Sequence, residues 1–252
     1  MKTLRIFLLI LIIIGIVLLL TEKLWVPKLV DKIIAREFPQ QVTTPNIIPI
    51  SIITQKINEE NFSGTVADVF GTSPIAIQMR EYIDKTVSGF RTQANTDVPS
   101  IRGQFGADNP TANYEIDITS KYIKSAETES IVTEVYTFTG GAHGSSLYKV
   151  MTANILSGEI IPLAKIIRQE KQNDFVTLVK KNLNDWRPEG TDAPVVFADS
   201  VEALKFDSFS NYSLDDKNLI IYFDQYAIGP GSLGTTPFPI PLTTIKDFLV
   251  SN

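Results

Sequence analysis

The stretch Ile131–Ile155 constrains this chain most. It reads Ile-Val-Thr-Glu-Val-Tyr-Thr-Phe-Thr, then Gly140-Gly141-Ala142-His143-Gly144-Ser145-Ser146, then Leu-Tyr-Lys-Val-Met-Thr-Ala-Asn-Ile. Val, Ile, Thr, Tyr and Phe fit the pleated surface of a sheet. Glycines between two such runs mark a hairpin, because glycine reaches φ > 0 without steric cost. The three loop glycines are therefore expected where the chain turns in conformations that side chains resist. His143, the one histidine of the protein, lies inside that loop.

A third strand precedes the hairpin. Tyr114, Ile116, Ile118, Ser120 and Tyr122 alternate with Glu115, Asp117, Thr119 and Lys121, the period of a half-buried strand. Three neighbouring strands predict an antiparallel meander. Ser73 and Pro74 open an amphipathic helix of about four to five turns, with Met79, Tyr82, Ile83, Val87 and Phe90 on one face. Arg80 with Asp84 and Glu81 with Lys85 are placed for pairing on its outer side. Ala94 to Pro110 reads as a loop, as do Phe62-Ser-Gly-Thr and Phe70-Gly-Thr-Ser-Pro, while Ile47 to Ile57 has a strand-like composition.

After the turn Leu156-Ser157-Gly158-Glu159, a second amphipathic helix carries Phe175, Leu178, Val179, Leu183 and Trp186, and Pro188 and Gly190 stop it. Phe206 to Leu214 is β-prone, and Leu219 to Ile228 reads as a central strand, apolar on both parities. Pro237, Pro239 and Pro241 make an extended segment, and Thr244 and Asp247 suit the cap of a last short helix ending near Val250. Helices and antiparallel strands in separate blocks predict an α+β fold, an antiparallel meander packed with amphipathic helices.

The amino terminus adds a membrane expectation. Lys2 and Arg5 precede an unbroken apolar run, Ile6 to Leu20. At ~1.5 Å per residue it spans roughly 22 Å, and Leu4, Leu24, Trp25 and Val26 extend it toward the ~30 Å hydrocarbon core. The basic start favours a cytoplasmic amino terminus and an extracytoplasmic body, a single-pass protein of the cell membrane. No small-x-small cleavage site follows Leu20, so a retained anchor is favoured over a cleaved signal. The expected layout is an anchor at 1–26, touching lipid through 4–26, a juxtamembrane helix and linker at 27–50, and two halves of one module at 51–156 and 157–252.

Composition excludes several chemistries. The net charge is −5, opposed to non-specific nucleic-acid binding. Without cysteine and with one histidine, disulfides, thiolate chemistry and the usual zinc sites are removed, and no cofactor is expected. Ser145 and Ser146 beside His143 raise serine hydrolysis, yet nucleophile and base would share one glycine turn, and the chain has no G-x-S-x-G elbow. The glycine loop lacks the lysine and following helix of a phosphate loop. Glu115, Asp117 and Glu134 are candidate paired carboxylates for glycoside chemistry, or a solvated face. Tyr114, Tyr122, Tyr136, Tyr148, Tyr222 and Tyr226 are core or cross-strand residues, or a face that binds sugar or protein.

Tyr136-Thr-Phe-Thr-Gly-Gly-Ala-His-Gly144, Asn154-Ile-Leu-Ser-Gly158-Glu and Ile161-Pro-Leu163 resemble the signature of PdaC/RsiV-like extracytoplasmic domains. Asn218-Leu-Ile-Ile-Tyr-Phe-Asp-Gln-Tyr-Ala-Ile-Gly-Pro230 and Pro239-Ile-Pro-Leu242 resemble its second half. The family occurs beside peptidoglycan deacetylase domains and in membrane-anchored anti-sigma factors that sense lysozyme. Where it often has Tyr-Ala-x-Gly, this chain has Gly231-Ser232-Leu233-Gly234. The deacetylase metal site needs several histidines, and holding a sigma factor needs more than the few residues before the apolar run. The resemblance therefore implies a non-enzymatic, sensor-like module that binds a protein such as lysozyme or a cell-wall glycan. His143, Gly140, Gly141, Gly144, Tyr136 and Tyr226 are its candidate ligand-binding residues. The rival expectation is an envelope hydrolase acting on peptidoglycan or esters.

Overall fold

The computed structural model describes residues 48–106, 109–188, 191 and 193–250. The expected anchor at 1–26, and the juxtamembrane helix and linker up to residue 47, lie outside them. Among the described residues, no helix is long and apolar enough to cross a membrane.

The fold is α+β, built on a five-stranded and a three-stranded sheet. In chain order come β1 (Ser51–Asn58), β2 (Phe62–Phe70), helix α1 (Pro74–Phe105), β3 (Tyr114–Lys124), β4 (Thr128–Phe138) and β5 (Ser145–Asn154). Helix α2 (Gln172–Asp185), the short α3 (Ala198–Ala203), β6 (Tyr212–Leu214), β7 (Asn218–Phe223), β8 (Thr236–Pro241) and α4 (Leu242–Ile245) follow. The large sheet runs β1-β2-β3-β4-β5 and the small one β6-β7-β8.

The predicted meander is present: β3, β4 and β5 pair antiparallel, with Ile118 opposite Val135 and Glu134 opposite Tyr148. The alternation of β3 decides its faces. Ile116 and Ile118 turn into the core formed with Ile83, Val87 and Phe90 of α1, whereas Glu115, Asp117 and Thr119 look the other way. The small sheet packs on that second face, where Val132 and Val150 meet Tyr222. Its far side carries Leu219, Ile221 and Phe223, which bury against Phe175, Val179 and Leu183 of α2. The order of layers is thus α1, large sheet, small sheet, α2.

Four expectations are corrected. First, Phe62–Thr65 is strand, not loop, and β2 pairs parallel to β3, with Phe62 opposite Tyr114 and Val66 opposite Ile118. A parallel pair needs a long crossover, which α1 supplies. Gly64 makes this approach feasible: a Cβ there would stand 1.8 Å from the Ile116 carbonyl oxygen. Second, Ala94–Phe105 is helix, not loop. Ala94 and Val98 continue the buried face of α1 at a spacing of one turn, and that burial outweighs Pro99 inside the helix. Third, the β-prone run at Phe206 begins as a 3-10 turn, Phe206–Phe209, and the strand predicted to Ile228 ends at Phe223. Fourth, the last helical turn starts at Leu242, before Thr244 and Asp247. Arg80 also departs from expectation. Its guanidinium donates to the carbonyls of Val69 and Gly71 instead of reaching Asp84.

The prolines of β8 sit at every second position and are exposed, while Thr236, Phe238 and Ile240 are buried. That spacing turns the missing N–H groups to the free edge, where a strand tolerates them.

Candidate functional site

β5 is the edge of the large sheet, and alternate amides of such a strand are left without partners. Here side chains take their place. Ser146 N donates to Gln225 Oε1 at 3.0 Å, Tyr148 N to Asp224 Oδ1 at 2.7 Å, and Val150 N to Asn211 Oδ1 at 3.0 Å. Gln225 N returns a bond to the Ser146 carbonyl at 3.1 Å, and Asn211 Nδ2 one to the Tyr148 carbonyl at 3.0 Å. The segment after β7 is thereby fixed beside the end of the β4–β5 hairpin.

This places Tyr226 against His143. The Tyr226 hydroxyl is 3.0 Å from His143 Nε2, and His143 Nδ1 is 2.9 Å from the Gly144 carbonyl. A carbonyl only accepts, so Nδ1 carries a proton, and in the neutral ring Nε2 accepts from the phenol. The two rings lie 6.1 Å apart and tilted. Tyr226 has φ 70°, and no other non-glycine among the described residues has a positive φ.

Two glycines form the backing of two tyrosines. A Cβ on Gly231 would fall 2.3 Å from the Tyr226 hydroxyl oxygen, and one on Gly144 would fall 2.3 Å from the Tyr136 ring. The expectation for the hairpin glycines is corrected accordingly. Gly140 and Gly141 do take positive φ, 87° and 98°, but Gly144 does not and is small to admit Tyr136.

The loop of Tyr226 is held on several sides. Ile228 is buried in the α2-side core, the Phe197 amide donates to the Ile228 carbonyl, and Gln225 Nε2 donates to the Gly231 carbonyl at 2.9 Å. Nearby on β4, Glu134 Oε1 accepts from Thr235 Oγ1 at 2.6 Å. Glu134 and Tyr136 point from the same face of that strand.

Four of the six candidates are therefore linked in turn, Gly144 against the Tyr136 ring and the adjoining His143 bonded to Tyr226, whereas Gly140 packs toward Thr111 and Gly141 has open space before it. The candidate carboxylates share one face of the large sheet, Asp117 diagonal to Glu134 across β3 and β4, but each has its own surroundings. Asp117 accepts from the amide and hydroxyl of Thr65, Glu134 is taken by Thr235, and Glu115 is exposed on β3. Neither Ser145 nor Ser146 is a hydrogen-bond partner of His143. Tyr148 and Tyr222 stack edge-to-face at 5.0 Å, the core role expected for most tyrosines, and burial holds both phenols above their usual pKa. Sequence reasoning missed Asn211, Asp224, Gln225 and Thr235. Their partners lie 61 to 101 positions away, and no local pattern records such pairs.

Residues 155–243 match the family DUF3298, described as a protein of unknown function. The match contains Tyr226 and Gly231 but not His143. Over 186 residues the chain is 23% identical to the peptidoglycan-N-acetylmuramic acid deacetylase PdaC of Bacillus subtilis (strain 168), covering 72% of this chain and 37% of that protein. Two solved structures of DUF3298 family members share the fold. One, from Bacteroides fragilis, superimposes with a TM-score of 0.59 at 14% identity, over 82% of this chain and 95% of its own. The other, from Pseudomonas aeruginosa PAO1, gives 0.54 at 14% identity, over 81% and 94%. The chain carries a PdaC/RsiV-like domain. In this PdaC/RsiV-like domain, the hairpin loop that carries the resemblance and the loop inside the family match meet at one hydrogen bond, between His143 and Tyr226.

Proposed function

We propose that the chain is a membrane-anchored module of the cell envelope that binds a ligand without transforming it, at the corner shared by the 140–144 and 224–234 loops. The ligand is a protein such as lysozyme or a cell-wall glycan. The observation that carries this reading is Tyr226, an exposed aromatic in a strained backbone conformation, braced by His143 and Gly231. Strain of this kind collects at ligand clamps and active sites. The acidic chain suits a basic protein and would speed its association.

The rival reading, an envelope hydrolase, draws on the name of the Bacillus relative, of which the chain spans 37%. His143 engages a phenol and a backbone carbonyl, an arrangement that orients a ring and supplies no serine nucleophile.

Full-length protein in detergent micelles is to be tested for retention on immobilised lysozyme and on purified peptidoglycan. Retention on either, weakened by Tyr226→Gly, supports the proposal. An esterase or deacetylase rate lost in His143→Ala, with the fold intact, would replace it by the hydrolase. Anchoring is tested separately: protease added to spheroplasts should digest the body, and a full-length fragment surviving until lysis would reverse the orientation.

A further inference from the structure

We infer that the Tyr136–Tyr226 corner is a saccharide platform, which takes a pyranose ring by its C–H face and grips its hydroxyls from the side. This rests on the ligand-binding reading above and names the chemical class of its ligand.

Three features carry it. The first is the cost of Tyr226. An L-residue in the left-handed region loses about 1 kcal/mol or more. Burial does not return this, because Tyr226 is 50% exposed. The conformation serves to aim a ring outward. The second is the backing. Gly231 lies behind Tyr226 and Gly144 behind Tyr136, each so close that no side chain fits between. Each ring is thus steadied by backbone on one side, and a fixed aromatic face is a stacking surface for apolar atoms. The third is the polar surround. His143 is bonded to the Tyr226 hydroxyl, and the Glu134–Thr235 pair neighbours Tyr136 on β4. One Glu134 oxygen accepts from Thr235 and the other takes no hydrogen bond among the described residues, which leaves an acceptor for a hydroxyl.

A protein partner fits these features less well. The centre of a protein interface is apolar and fully buried. Besides Tyr226, the exposed residues of the 140–144 and 224–234 loops are Gly141, Ala142, His143, Asp224, Ala227 and Ser232, which offer no such centre. Small residues around steadied rings suit a narrow ligand.

The test is saturation-transfer NMR on the full-length protein in detergent micelles, with chitotetraose and, separately, cellotetraose. Transfer to the ring C–H protons of at least one saccharide is expected. Tyr226→Gly and Tyr136→Leu should each weaken it about tenfold, the scale of one lost ring contact. Tyr226→Phe keeps the platform and should retain binding within severalfold. Tyr226→Gly also suits the left-handed backbone, so its thermal melt shows whether the fold survives. No transfer from either saccharide would overturn the inference, as would transfer that Tyr226→Gly leaves unchanged. Lysozyme capture that depends on Tyr226, without saccharide transfer, would overturn it too, while the ligand-binding reading would stand. If saccharides, lysozyme and peptidoglycan all fail to bind, both readings fall together.

Discussion

The Tyr226 hydroxyl and His143 Nε2 meet at 3.0 Å across 83 positions of sequence. The bond joins the hairpin loop of the large sheet to the loop that follows the central strand of the small one. Neither side chain is demanded by its own turn. His143 takes no part in the positive-φ geometry of Gly140 and Gly141, and Tyr226 opposes the geometry of its own position.

His143→Ala should accordingly cost about 1 kcal/mol, the net value of a half-exposed hydrogen bond. Denaturant titration checks this. A loss near 3 kcal/mol would mean that the histidine holds the loops together more widely than the two bonds show. If His143 also touches ligand, affinity falls beyond what the stability change explains.

The glycine–tyrosine contacts predict coupling. Gly144→Ala forces its Cβ into the Tyr136 ring and should destabilise by about 1–3 kcal/mol, as overpacking does. In a Tyr136→Ala background the same change should cost little. A double-mutant cycle with additive effects would show that the ring moves aside freely. Gly141→Val differs in cause. Nothing lies within 4 Å of its added Cβ, so the cost of about 1–2 kcal/mol comes from φ alone, and Tyr136→Ala should not relieve it.

Gly64→Ala tests the parallel pairing of β2 with β3. A Cβ 1.8 Å from the Ile116 carbonyl cannot be accommodated by a rotamer change, because both atoms belong to backbone-fixed positions. Destabilisation beyond about 3 kcal/mol is expected, the range of the severe mechanisms. Wild-type thermal stability in this variant would contradict the strand order.

Asn211→Ala removes the acceptor for Val150 N and the donor for the Tyr148 carbonyl. Val150 is buried, so its amide would lose its partner at about 1–3 kcal/mol. Hydrogen exchange at Val150 should speed up more than at Ile131, which lies inside the sheet. Equal protection at both would mean that the β5 edge is sealed by something else.

Alkaline pH should destabilise the protein. Burial raises the phenols of Tyr82, Tyr114, Tyr148, Tyr212 and Tyr222, and burial together with Glu129 pushes Tyr122 up to about 12. In the unfolded chain these groups ionise near pH 10. Between that value and the folded one the unfolded state holds fewer protons, so stability falls as pH rises. It is fully present below about pH 10 and lost progressively above it. Thermal melts from pH 8 to 11.5 should show this decline, and Tyr212→Phe should make it shallower.

The sequence alone determined what local periodicity can record. Alternation in β3 named its buried side, three- and four-residue spacing placed the start of α1 and most of α2, and glycines at 140 and 141 marked the hairpin. It misread Ala94–Phe105 and Phe62–Thr65, because proline and glycine there argue for loops and only burial against distant strands overrules them. The tertiary structure decided the rest. Whether β2 runs parallel to β3 depends on a 32-residue helix packing across the sheet. The amides of β5 found Asn211, Asp224 and Gln225, and His143 found Tyr226, only after the small sheet docked on the large one. A strand edge and a loop histidine carry no mark of the partner that closes on them. That partner is fixed by which apolar faces can be buried together, a property of the whole chain and not of any window within it.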